Sequence, residues 1–196
     1  MTFPVLLDTC ALFGITLSDL ILRLAERGTF RPLWSETILQ ELHRNLVSQR
    51  GLSQEQASRR VDAMREYFPD ALVSGFEQLE RTLTCDPKDA HVLAAGIRSN
   101  ASILVTFNLS DFPASSVEPF DIVVIHPDHF LLDQLDLFEE EVMAALEEMV
   151  SHYDSPPITL DTLLEGLKKA GVSEFAEAVR EVVNRYDSSS DHPHDH

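Results

Sequence analysis

The amino-acid sequence predicts an α/β fold with a mostly parallel central sheet, followed by a helical extension. Three observations carry that prediction. Short apolar runs, VLL near the start, ILVTF in the middle and IVVI before residue 126, read as buried strands. Stretches with apolar residues at helical spacing lie between them, and strands that alternate with helices favour parallel pairing. Beyond about residue 130 the strand-like runs stop and only helical periodicity continues.

Taken in order, residues 3–7 form a short buried strand that ends at Asp8. Residues 12–26 place Leu17, Leu20, Ile21 and Leu24 on one face of a helix that ends near Gly28. Ser35 caps a second helix with Ile38, Leu39, Leu42 and Leu46 inward, and Ser53 starts a third that Pro69 stops. Asp86 followed by Pro87 reads as a helix start, because proline suits the first helical position and the aspartate can cap exposed amides. Asp89 then lies in the first turn of a helix that runs through HVLAAGIRSN. Residues 102–107 return as a buried strand, and DIVVIHP supplies the last one. The coarse order read from the chain is strand, five helices, two strands, four of those helices being the ones just described.

Charge marks a boundary near residue 130. The net charge is −18. Residues 1–130 hold 17 acids and 11 bases, or −6, whereas residues 131–196 hold 16 acids and 4 bases, or −12. The acidity thus belongs mainly to the last third, with helices over FEEEVMAALEEMVSHY, TLLEGLKKAG and VSEFAEAVREVVNRY. Leu160, Leu163, Leu164 and Leu167 form one stripe, and Phe175, Val179, Val182 and Val183 another; both read first as core and second as a docking surface. The organisation expected is a domain over residues 1–130, a helical extension over 131–187 and a disordered tail over 188–196. The tail histidines His192, His194 and His196 read as adventitious metal binders rather than a native site.

No segment is long and apolar enough to cross a membrane, and no positive region precedes the first apolar run. Cys10 and Cys85 are isolated and read as small reduced core residues, so the expected compartment is the cytoplasm.

The chemistry lies in acids at predicted turns: Asp8, Asp86, Asp89 and Asp111. In an open parallel sheet, ligands bind beyond the carboxyl ends of the strands. Carboxylates gathered there repel one another, and a hard divalent cation offsets the repulsion. Mg²⁺ or Mn²⁺ fits oxygen donors; zinc would prefer sulfur and nitrogen ligands, absent here at structural-zinc spacing. Asp8, at the end of an apolar strand, points most directly to function, because an unpaired carboxylate there is costly. Asp86 and Asp89 read either as cap and first-turn acids or as site residues. Glu41 flanks an apolar stripe and by itself reads as solvated. Asp111 in TFNLSDF turns the chain, serves the site, or both.

Together, LLDTCALF, SETILQEL, DPKDAHVLAAGIRSNASILVTFNLSDFP and PDHFL resemble PIN-domain ribonucleases of the VapC-like toxin type. The resemblance implies an α/β/α sandwich carrying an acidic quartet, Asp8, Glu41, Asp89 and Asp111, that binds Mg²⁺ or Mn²⁺ and hydrolyses RNA. It also implies supporting roles for Thr106 and Asn108, with Asp86 behind the quartet. A cognate antitoxin and a homodimer follow from the same resemblance. The helical extension is similar to that of a longer toxin subset, for which the pattern fixes no role. Arg44, Arg50, Arg59, Arg60 and Arg65 form a locally basic region, within which Arg44, Arg59 and Arg60 are the candidate RNA contacts; a solvated face with ion pairs is the alternative.

Rival functions fit less well. A haloacid-dehalogenase-like phosphatase needs a second Asp where Cys10 stands, and a receiver domain needs a late Lys that none of Lys88, Lys168 and Lys169 provides. The remaining alternative is an inactive PIN-like binding module. A dead site has no physical reason to keep like charges together.

Overall fold

Strands β1 (Pro4–Leu7), β2 (Arg31–Ser35), β3 (Leu72–Val73), β4 (Ile103–Val105) and β5 (Val123–Ile125) lie in the order β3-β2-β1-β4-β5, every pair parallel. The computed structural model describes residues 2–152 and 157–190. The chain forms two compact units, Met1–Pro127 and Asp128–His196. Among the described residues, no helix is long and apolar enough to cross a membrane.

The α/β expectation holds, and the sheet positions the site. Strand β1 has β2 on one side and β4 on the other, so the strand order reverses there, and such a switch point opens a crevice at the carboxyl ends. Leu6 pairs with Leu33 and with Leu104, which brings the ends of β1 and β4 level. Val5, Leu6 and Leu7 are fully buried, as expected of a strand covered on both faces.

Helices of the first unit are α1 (Thr9–Phe13), α2 (Ile15–Glu26), α3 (Glu36–Arg50), α4 (Gln54–Tyr67), α5 (Glu77–Glu80), α6 (Ala90–Arg98) and α7 (Ala114–Val117). Ser35 caps α3 by accepting from Ile38 N–H, and Ser53 with Gln56 forms a capping box on α4. Gly51 ends α3 at φ 69°, a left-handed position that suits glycine. Gly96 lets α6 lie close on the sheet: a Cβ there would stand 3.4 Å from Ile122 Cδ1 and 3.7 Å from Leu6 Cδ2.

Several details correct the sequence reading. The helix expected over 12–26 is two helices, divided at Gly14, and the first begins at Thr9 directly after Asp8. The helix expected from Asp86 begins at Ala90; Asp86 Oδ1 instead accepts from Lys88 N–H at 2.9 Å within the preceding turn. Strands β2 and β3 were not anticipated. Proline inside RPLWS argues against an interior strand. Here Arg31 N–H donates to Phe3 O at 2.9 Å, so by the period of two Pro32 N faces away from β1. Strand β3 pairs only with Trp34 and Ser35, so Pro32 interrupts no ladder.

The second unit begins within α8 (Pro127–Leu137) and continues through α9 (Glu139–Ser151), α10 (Leu160–Lys169) and α11 (Ser173–Ser190). Its core is Val142, Ala145, Leu146 and Met149 of α9 against the stripes read from sequence, with Leu163, Leu164, Leu167, Phe175, Val179 and Val182 all buried. Helix α11 enters the expected tail by three residues, to Ser190, while His192, His194 and His196 lie outside the described residues. Buried Asp128 binds the start of α11: Oδ2 accepts from Glu174 N–H at 3.1 Å and Oδ1 from Phe175 N–H at 2.8 Å. A carboxylate there satisfies amides that the helix itself cannot pair.

Replacing this carboxylate should loosen the whole unit. Asp128→Ala is expected to lower stability by about 1–3 kcal/mol, the usual cost of leaving buried donors unpaired. Urea unfolding followed by helical circular dichroism checks the value; an unchanged midpoint would show that water satisfies the two amides.

Candidate active site

Asp8 stands one residue past β1 and Thr106 one residue past β4, where the two strands end side by side. Asp8 is 6% exposed, so its charge requires donors. Its Oδ1 accepts from Thr9 N–H at 2.6 Å, the first amide of α1. Its Oδ2 accepts from the Thr106 hydroxyl at 2.7 Å and from the Cys10 thiol at 3.1 Å. Thr106 Oγ1 in turn accepts from Asn108 N–H at 3.0 Å, which starts the turn toward Asp111. Asp111 N–H donates to Asn108 O at 3.1 Å and closes that turn.

Cys10 therefore belongs to the site rather than to the apolar core. Burial pushes its thiol up to about 12, and the charge of Asp8 adds to the effect, so the sulfur stays protonated and donates. Only Cys85 fits the reading of a buried core thiol; both cysteines are free.

Glu41 reaches the same region from α3. Its Oε2 accepts from the Thr9 hydroxyl at 3.0 Å, and its Oε1 lies 3.4 Å from His91 Nε2 and 3.9 Å from Arg44. The hydrogen bond from His91 holds the Glu41 carboxyl below its ordinary value despite partial burial. Burial pulls the His91 imidazole down, but Glu41 more than compensates, with smaller help from Asp8 and Glu80, and the net shift is upward. Among the described residues, the buried His91 Nδ1 has no hydrogen-bond partner. The sequence reading passed over Thr9, Cys10 and His91; each follows a singled-out acid by one or two residues, and that proximity was the available signal.

Asp89 occupies the N-cap position of α6, yet its side chain makes no cap hydrogen bond. Its carboxyl is raised to about 6, first by burial and then by the charges of Asp111, Asp8 and Asp86. Three acids from separate segments thus act on one carboxyl. Among the described residues, no three His, Cys, Asp or Glu side chains close into a ready set of metal ligands. The donor chemistry nonetheless fits a hard divalent cation, because the oxygens around Asp89 repel and a cation would relieve them.

The candidate RNA-contacting arginines differ from one another. Arg44 and Arg59 are exposed, the latter paired with Glu55 at 3.2 Å. Arg60 is instead turned into the protein, donating to Leu12 O at 3.3 Å and to the Ser18 hydroxyl, and burial lowers its pKa. Arg65 binds Glu36 at 2.6 Å and Asp62 at 2.7 Å, while Arg50 lies over the Phe13 ring. Ion pairing and internal contacts therefore occupy most of the region read as basic.

The raised Asp89 carboxyl sets a pH dependence. Its folded value, about 6, exceeds the ordinary 3.8, so its contribution to stability is full below about pH 4 and is lost as pH rises through about 6. Asp89→Asn should consequently melt above the parent chain near pH 7.5 in EDTA, with the difference vanishing below about pH 4. Thermal melts at both values test this; equal melting temperatures near pH 7.5 would mean that the acids do not repel at Asp89.

The sequence matches the family described as PIN domain over residues 4–110 and that described as VapC50 C-terminal domain over residues 127–181. A curated relative named "Putative ribonuclease VapC50", from Mycobacterium tuberculosis (strain ATCC 25618 / H37Rv), is 43% identical over 110 residues. That stretch is 56% of this chain and 64% of the relative, so the match spans a little less than two thirds of the relative's length. The PIN match covers more than half of the chain and ends at Ser110, one residue before Asp111; the chain belongs to the PIN-domain family.

Proposed function

We propose that the chain is a divalent-metal-dependent endoribonuclease and the toxin of a toxin–antitoxin pair, acting in the cytoplasm. The observation that carries this reading is the raised carboxyl of Asp89, where the charges of Asp8, Asp111 and Asp86 act together at the sheet's switch point. The likeness to a relative named as a ribonuclease supports the same reaction class.

In this reading Asp8, Asp89 and Asp111 hold Mg²⁺ or Mn²⁺, and Glu41 completes the set or orients water. When bound, such a cation polarises the scissile phosphate and offsets charge gathering on its oxygens. The protein's own contribution is positioning. Thr106, Thr9 and Cys10 fix the Asp8 carboxylate, and Asn108 shapes the turn that presents Asp111. Asp86 adds charge behind Asp89. Arg44 and Arg59 are the exposed cations available to RNA phosphates, whereas Arg60 joins α4 to α1 and α2. A small antitoxin is the proposed regulator, and a homodimer the proposed assembly.

Purified chain incubated with total cellular RNA should cut it in Mg²⁺ or Mn²⁺ and not in EDTA. Asp8→Asn should lose at least about 100-fold in rate, a typical loss when a group that stabilises transition-state charge is removed. Intact RNA in both metals would leave a PIN-like binding module as the better account. In the Asp8→Asn background, Arg44→Glu with Arg59→Glu should weaken RNA binding and reduce the salt slope by about 1.4, if each contacts one phosphate of a single strand. An unchanged slope in gel-shift titrations would remove these arginines from the RNA path.

A further inference from the structure

The helical second unit leaves an apolar surface outside its core. A groove of about 680 Å³ lies along α9 and α11, with Leu160 of α10 at its edge. Its apolar lining includes Met143, Ala144, Val150, Leu160 and Val183, each only half-buried. These residues form a second apolar face beside the buried one of Val142, Ala145, Leu146 and Met149. On α9 the lining runs from Glu140 to Ser151, about three helical turns or roughly 16 Å.

The rim is acidic. Glu140, Glu147 and Asp187 line the groove and are exposed, and no Lys or Arg is among the lining residues. Three of the unit's four Lys and Arg side chains are paired with acids that do not line the groove: Lys168 with Glu165 and Glu177, Arg180 with Asp161, Glu165 and Glu177, and Arg185 with Glu139. Residues 131–196 carry −12 overall, from 16 acids and 4 bases.

We propose that this groove receives an amphipathic helix of a partner protein, with apolar side chains spaced i, i+4, i+7 and flanked by Lys or Arg. An apolar trough that accepts three turns is the geometry of helix-in-groove recognition, and the acidic rim selects the sign of the flanks. The same rim disfavours other occupants. Nucleic acid would be repelled. A second copy would bring Glu140, Glu147 and Asp187 against themselves, and the chain's own ending, DHPHDH, offers two acids and no Lys or Arg. The inference does not rest on the nuclease reading, because every residue involved lies in the second unit.

The test uses the full chain and two labelled helical peptides of about 14 residues, roughly 21 Å at 1.5 Å per residue. One is built from Leu and Lys, the other has Glu in place of every Lys. Fluorescence anisotropy near 0.15 M salt should show binding of the Lys peptide alone. Val183→Asp should weaken that binding by about tenfold or more, as expected for an anchor in a pocket. Glu140→Lys with Glu147→Lys, both on the exposed rim, should reverse the preference toward the Glu peptide. Circular dichroism confirms that each variant is folded, and the rim pair remains informative if Val183→Asp is not. Asp8→Asn should bind as the parent does, which separates this result from any failure of nuclease activity. Binding unaffected by both sets of variants would reduce the attraction to diffuse charge and overturn the proposal. A dimer in sedimentation that the rim pair alters would overturn it in favour of self-association.

Discussion

A buried carboxylate needs donors, and in this chain Asp8 imposes that need on everything around it. Burial at 6% exposure would raise the cost of its charge beyond what one strand end can meet. The donors come from two directions: the first amide and the thiol of α1, and the hydroxyl that follows β4. Strand pairing between β1 and β4 is what brings Thr106, 98 residues away, within 2.7 Å. Thr106 is itself fully buried, and its oxygen also anchors the turn leading to Asp111. The end of β1, the start of α1 and the Asn108 turn thus meet at one carboxylate.

Around that charge the site is deliberately unbalanced. Glu41 is compensated by His91, Thr9 and Arg44, whereas the charges of Asp111, Asp8 and Asp86 act against Asp89 and His91 offsets them in part. Such an arrangement costs the folded state stability, in the manner of sites whose geometry serves a ligand rather than the fold.

Much of the fold was legible because buried parallel strands announce themselves as apolar runs and Ser35 and Ser53 mark helix starts. Strand β2 was not, because Pro32 is a strand breaker unless its nitrogen faces a gap, and that depends on where β3 ends. Strand β3 has two residues, too few for any periodicity. In the site, Asp8, Asp89 and Asp111 could be singled out by their places at turns, while Glu41 entered by family resemblance. For Cys10 the one signal was its place two residues after Asp8, since its partner Thr106 lies 96 positions away. Arg60 could not be read: a helical pattern shows which residues share a face, not that this face meets Ser18 of α2. The charge-based boundary near 130 falls inside α8, because composition shifts gradually where a helix begins abruptly.

That boundary bears on how the extension can be moved between proteins. Asp128 lies at the opening of α8 yet binds the start of α11, so the unit is closed by its first residue in the manner of a clasp. A fusion or recombination event that copied the segment from residue 131 would carry three helices and leave the clasp behind. One that copied it from Pro127 would transfer a self-contained module, and the C-terminal-domain match begins at that residue. Any transfer of this extension to another protein would have to respect a joint set by one carboxylate.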